Sequence, residues 1–263
     1  VWILTGNVRF CLLVFCLAVS LGLAADDQAR LQLCVGDGSP WPPYTYWQEG
    51  AEGPQAESLT GYATQLVVGA LDNNKIAYDL VFLPWARVQH ELSHQSGRCQ
   101  ATWDASYTSD RAEFSLFSKP LYHITLGYLY VERDLPTVEL TDLSVICGVQ
   151  GYNYDQFAGH PKPTFTADTL QQALRMLEAG RCDFLASEVE PVLGGLHSGI
   201  YDISENLNYQ STGLTKSFHV QVSRFTPEAE QLVALFDDFL AELEQTSRLD
   251  DLRARYFMDT TAR

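Results

Sequence analysis

The sequence predicts an α/β protein built from two related lobes. Three observations carry this. Apolar stretches of strand period alternate along the chain with stretches of helical period. The tripeptide Gly97-Arg98-Cys99 returns as Gly180-Arg181-Cys182, each time joining a helix to a strand. Cys34 and Cys147 then sit in the first strand of each half. With 263 residues, 46% of them hydrophobic, the chain has ample material for such a core.

Residues 1–25 stand apart. Arg9 precedes the apolar run Phe10 to Leu21, small residues follow at Gly22, Ala24 and Ala25, and Asp26-Asp27 comes next. This pattern predicts a secretory signal peptide cleaved after Ala24 or Ala25. The run is short of the ~20 residues that a spanning helix needs. Neither Cys11 nor Cys16 follows a small residue, so a soluble, unlipidated mature protein is expected. Cleavage removes Arg9 and takes the formal net charge from −16 to −17. That field repels nucleic acid and anionic membrane surfaces, which excludes them as expected partners.

Leu31 to Val35 alternates as a strand and runs into Gly36-Asp37-Gly38-Ser39-Pro40-Trp41-Pro42-Pro43-Tyr44, a rigid turn by its glycines and prolines. Glu49 to Glu57 reads as an exposed loop. Gly61-Tyr62 opens a helix with Leu66, Val67, Ala70 and Leu71 on one face. Ile76 to Leu83 is a strand, Pro84 takes the first position of the next helix, and Gly97 ends it. Arg98 to Asp104 is a strand, and Tyr122 to Val131 a long one. The second half reads as strand Leu143 to Val149, loop Gln150 to Asn153, helix Asp168 to Ala179 capped by Asp168 with Gln171, and strand Arg181 to Ala186. The chain returns near Leu214 to Phe218 and ends in helices from Pro227 and Ser247.

Asp104-Ala105-Ser106-Tyr107-Thr108-Ser109-Asp110-Arg111 reads as a strand end, a polar turn and a helix start with Thr108 as N-cap. Hydroxyls and N–H groups at a helix start suit an anion, and the Arg111 fork matches a carboxylate. A capped helix start with Arg111 on a solvated face is the plainer reading of the same residues.

Ser106, Thr108 and Arg111, followed by Phe117-Ser118-Lys119-Pro120-Leu121-Tyr122, resemble the "S-x-T-x-x-R…F-S-x-P-Y" segment of periplasmic solute-binding proteins of the polar amino-acid type, family 3. The resemblance implies a type II periplasmic-binding-protein-like fold, each lobe a mixed sheet flanked by helices, with two hinge crossings. It places lobe 1 at 26–124 and 218–263 and lobe 2 at 125–217. It further implies that Arg111 holds the α-carboxylate of a bound amino acid. Trp41, in a Trp-Pro-Pro-Tyr run with Tyr44, would stack on the ligand, and Trp85 opens the helix beyond. Polar groups at strand C-termini complete the site: Asp37, Asp104 and Ser106 in lobe 1, Tyr152, Asn153 and Glu188 in lobe 2. Glu188 falls where the family holds the ligand's ammonium. Gly151-Tyr152 replaces the family's Gly-Ser/Thr anion loop, and Thr64-Gln65 replaces an acidic residue in the first helix.

Four cysteines remain after cleavage, an even number for an oxidising compartment. If they pair, Cys34 joins Cys99 and Cys147 joins Cys182, since those strands neighbour each other. An offset of about two residues strains the ~5.5–6 Å Cα spacing, and four buried thiols are the alternative.

His90-Glu91-Leu92-Ser93-His94 is a literal H-E-x-x-H. No third ligand follows at the usual spacing, so no metal is expected. No nucleophile elbow, phosphate loop or dinucleotide fingerprint occurs, and no cofactor or catalytic residue is assigned. The resemblance thus implies a monomeric periplasmic binder of an amino acid or related polar compound, serving an ABC permease. The alternatives are a cyclohexadienyl-dehydratase-like enzyme on the same fold and a ligand-sensing partner of a membrane receptor.

Overall fold

The computed structural model describes residues 30–36, 40–48, 55–132, 140–141, 143–203 and 206–257. The expected signal peptide, most of the Glu49–Glu57 loop and Asp37 lie outside the described residues.

The first half opens with β1 (Leu31–Gly36), followed by the two-residue strands β2 (Tyr46–Trp47) and β3 (Leu59–Thr60). Helix α1 (Tyr62–Asn73) comes next, then β4 (Tyr78–Leu83), α2 (Trp85–Leu92), β5 (Ala101–Ser106), α3 (Ser109–Phe114) and β6 (Ser115–Phe117). The long β7 (Tyr122–Val131) leads into the second half: β8 (Ile146–Val149), β9 (Phe165–Ala167), α4 (Leu170–Glu178), β10 (Phe184–Glu188) and α5 (Val189–His197). The 17-residue β11 (Leu207–Ser223) returns, and α6 (Ala229–Gln245) and α7 (Arg248–Phe257) close the chain.

The two mixed sheets expected from the resemblance are fused into one, in the order β4-β1-β5-β11-β7-β10-β8-β9, with β6 on β11. β1 runs parallel to β4 and β5, and β8 runs parallel to β9 and β10. Between them, β11 and β7 pair antiparallel with each other, β11 also with β5 and β7 with β10. The two halves therefore mirror one another about the β11–β7 pair, as the repeated tripeptide suggests.

Helix α1 buries Leu66, Val67, Ala70 and Leu71, and α4 buries Leu170, Ala173, Leu174 and Leu177. Each buried leucine or valine among them contributes roughly 1.5–3 kcal/mol by leaving water. These faces are the ones the helical period marks. Several boundaries differ from expectation. Leu143 is exposed and β8 begins only at Ile146. Pro84 is the N-cap of α2 and not its first residue, and α2 stops at Leu92, ahead of Gly97. The cap of α4 is Thr169, whose hydroxyl accepts from the Gln172 amide, while the Gln172 side chain reaches back to the Asp168 amide.

Both disulfides are formed, with Cα separations of 5.5 Å for Cys34–Cys99 and 5.8 Å for Cys147–Cys182. The expected offset does not oppose them. Cys99 and Cys182 precede β5 and β10, so ladder register does not constrain them.

No helix among the described residues is long and apolar enough to cross a membrane.

Candidate functional site

The site forms where the C-terminal ends of β1, β5, β8 and β10 face one another across the hinge strands. A cavity of about 330 Å³ lies there, walled by Trp41, Trp85, Trp103, Tyr152 and Phe218, with Asp104, Ser106, Arg111, Asn153, Glu188 and Lys216 among its polar groups.

Arg111 is placed by its own turn. Thr108 caps α3 by accepting from the Arg111 amide at 3.1 Å, and the guanidinium folds back on β5. Its Nη1 donates to the Ser106 carbonyl at 2.9 Å and to Ser106 Oγ at 3.1 Å. Nη2 reaches across the cleft to the Gly151 carbonyl at 3.4 Å, and the charge lies 5.5 Å from the Trp85 ring centre. Burial lowers the Arg111 pKa to about 10, with Glu188 opposing the shift, so it stays charged at neutral pH. The plainer reading, Arg111 on a solvated face, does not hold.

Asp104 lies inside β5 with a positive φ of 57°, an uncommon left-handed conformation for a non-glycine residue. Its carboxylate faces the cavity and accepts from the Tyr122 hydroxyl. Burial pushes its pKa up to about 6, against the lowering effect of hydrogen bonds from Tyr122 and Thr45. Tyr122 is itself clamped, its ring stacked on Tyr44 at 3.8 Å and on Phe218 at 5.1 Å.

The two aromatics of the proline turn part company. A backbone turn in which Trp41 and Thr45 exchange hydrogen bonds sets Trp41 against Tyr152 and Phe218 in the cavity wall. Tyr44 does not line this cavity. It is buried against Tyr122, Phe257 and the head of α1, away from the cavity where a ligand contact was expected of it. Trp85 and Tyr152 do line the cavity. Asn153 does too, donating across the cleft to the Tyr107 carbonyl at 3.2 Å.

Glu188 is in the cavity floor as expected, but its charge is already matched. Lys216 of β11 donates from Nζ to Glu188 Oε1 at 2.5 Å and to the Asn153 carbonyl at 2.8 Å. Both side chains are nearly wholly buried, at 2% and 3% exposure. Burial lowers the Lys216 pKa, and Glu188 works against that shift. Sequence reasoning missed Lys216, along with Thr45, Trp103, Asp168 and Phe218 as cavity residues. One signal was available: Lys216 shares the alternation phase of Phe218 and Val220, which face the interior.

The H-E-x-x-H stretch serves structure. Glu91 is held by Arg87 at 2.6 Å and by the Arg98 amide at 3.0 Å, and these contacts lower its pKa, the Arg98 amide most. His94 lies past the end of α2, its ring against the His90 carbonyl.

A sheet of this order, with a charged cleft between halves joined by two hinge strands, defines a two-lobed ligand-binding protein of type II periplasmic-binding architecture. The chain belongs to the bacterial extracellular solute-binding proteins, family 3, whose model matches residues 33–259. No curated protein matches it. Among solved structures it is similar to the substrate-binding protein of an amino acid ABC transporter, with a TM-score of 0.70, 16% identity and coverage of 87% of this chain and 99% of that one. It is also similar to a histidine kinase sensor domain that resembles periplasmic binding proteins (TM-score 0.71, 20% identity, coverage 88% and 97%). A third is the arginine-, lysine-, histidine-binding protein ArtJ from Geobacillus stearothermophilus, at TM-score 0.68 and 18% identity, with coverage of 88% and 96%.

Proposed function

We propose that the protein captures an amino acid, or a similar small compound with a carboxylate and an amine, by closing two lobes on it in the periplasm. Lobe 1 is 26–124 with 218–263, and lobe 2 is 125–217, after removal of a signal peptide over 1–25. The monomer then hands its ligand to an ABC permease in the inner membrane. The carrying observation is Arg111: a charged fork held by Ser106, beside Trp85, and opposite the Gly151 carbonyl in a largely aromatic cavity. Such a group has the geometry to take a carboxylate in two parallel hydrogen bonds.

A thermal-shift screen of amino acids, amines and prephenate against the purified mature protein tests this. A ligand at about 100 times its Kd stabilises by ~2.7 kcal/mol, a readily measured shift. Stabilisation by an amino acid without turnover is the expected result. Conversion of prephenate or arogenate to an aromatic product would make the protein a dehydratase instead.

A further inference from the structure

The cleft holds two carboxylates that could meet a ligand's ammonium, and their surroundings differ. Glu188 has its charge matched at one oxygen: Lys216 Nζ bonds its Oε1 and is itself tied to the Asn153 carbonyl, while Oε2 is buried without a hydrogen-bond partner. A second ammonium brought to Glu188 would face the Lys216 charge in a site nearly closed to water, where like charges repel strongly. Asp104 is in the opposite situation. It lines the cavity, and none of the ion pairs among the described residues uses it. Its side-chain partners are neutral hydroxyls, that of Tyr122, locked between two rings, and that of Thr45. A half-buried carboxylate that faces a cavity and is in no ion pair is a ready receptor for a cation.

Position along the strand completes the argument. Asp104 and Ser106 both line the cavity, two residues apart near the C-terminal end of β5, where its register against β11 shifts. Ser106 is the residue that holds the Arg111 fork. A ligand carboxylate on Arg111 thus leaves the adjoining amine close to Asp104. We infer that Asp104, and not Glu188, is the ammonium-binding residue of this cleft, so that one strand end of lobe 1 grips both charges of a zwitterion while Glu188 and Lys216 neutralise each other. The inference rests on the amino-acid-binding reading above.

The test pairs a protein change with a ligand change. The twenty L-amino acids are screened, and the tightest is titrated beside the 2-hydroxy acid of the same side chain, which keeps the carboxylate and lacks the ammonium. Asp104→Asn should weaken the amino acid by about thirtyfold or more, as for truncation of a buried charge partner, and change the hydroxy acid by less than about threefold. Glu188→Gln should leave the preference for the amino acid over the hydroxy acid in place. Equal losses for both ligands in Asp104→Asn, or loss of the preference in Glu188→Gln, would overturn the assignment while leaving the protein an amino-acid binder. If no amino acid binds the wild type, the reading of function falls and the assignment with it.

A second measurement needs no variant. Between pH 7.5 and 5 the wild type should lose affinity for the amino acid relative to the hydroxy acid, because protonation removes the Asp104 charge. The ionisable groups facing Asp104 are Tyr122 and Tyr44 beside it, and Arg111, Asp168, Glu188 and Lys216 around the cavity. Taking the ratio of the two affinities cancels what these groups do to both ligands alike. A ratio that does not change with pH would contradict the assignment.

Discussion

Glu190, at the head of α5, holds Thr125 of β7 twice: its carboxylate accepts from the Thr125 amide at 2.9 Å and from the Thr125 hydroxyl at 2.7 Å. The clamp lies where the β7–β11 ladder breaks register, between Ser211 and Thr215. Gly127 sits beside it, with a Cβ there falling 2.7 Å from the Val189 side chain. Helix α5 is thereby fastened to the strand that joins the halves. Glu190→Ala should leave the Thr125 amide short of a partner and cost about 1–3 kcal/mol, read from urea unfolding. A change below about 0.5 kcal/mol would show that the clamp contributes nothing to stability.

Arg111→Ala should leave the circular dichroism spectrum and the disulfides intact. Binding of the amino acid identified by screening should weaken by about 2–5 kcal/mol, since the ligand carboxylate loses its buried partner. Titration calorimetry measures this directly. A loss of under tenfold would take Arg111 out of the binding site.

Asp104 gives the unliganded protein a pH signature. Its folded pKa, near 6, lies above the ordinary carboxylate value of 3.8, so between those values the folded state holds a proton the unfolded chain has released. Stability should therefore fall as pH rises from about 4 to 6, by on the order of 1–3 kcal/mol. Asp104→Asn should remove this component: relative to wild type, the variant gains stability above pH 6 and converges with it near pH 4. Parallel stability curves for the two proteins would refute the shift.

Cys147 and Cys182 close a loop of 35 residues in sequence separation. Replacing both with Ser should cost about 2–4 kcal/mol in thermal or urea unfolding, chiefly through a freer unfolded chain. Thiol titration of the denatured mature protein without reductant should find none of the four cysteines free.

What the sequence made legible was whatever depends on neighbours along the chain. The alternation of β1, the buried stripe of α1 and the Thr108–Arg111 turn are local patterns, and each is present. The α4 cap slipped by one because Asp168 with Gln171 and Thr169 with Gln172 are equally good boxes, and only tertiary placement chooses between them. The fate of Glu188 was beyond reach for a different reason. Its partner lies 28 residues on, and they meet only because β7 and β11 pair at the centre of the sheet, with β10 alongside. Tyr44 shows the same limit: three residues from Trp41, it is turned into the core by a tight turn whose side-chain directions composition does not encode.

The register of β7 and β11 has an evolutionary consequence. Val131 and Leu207 are direct partners, and beyond them the Glu132 amide donates to the Asn206 carbonyl at 2.9 Å. The chain therefore leaves for the second half and comes home through a single doorway, its two ends side by side. Residues 132–206 form a cassette with its own disulfide, carrying Tyr152, Asn153 and Glu188. Recombination between relatives at that doorway would replace one wall of the cleft in a single event, leaving Arg111, Asp104 and the scaffold behind them untouched. Lys216 stays with the scaffold, so any incoming cassette must bring an acid to meet it.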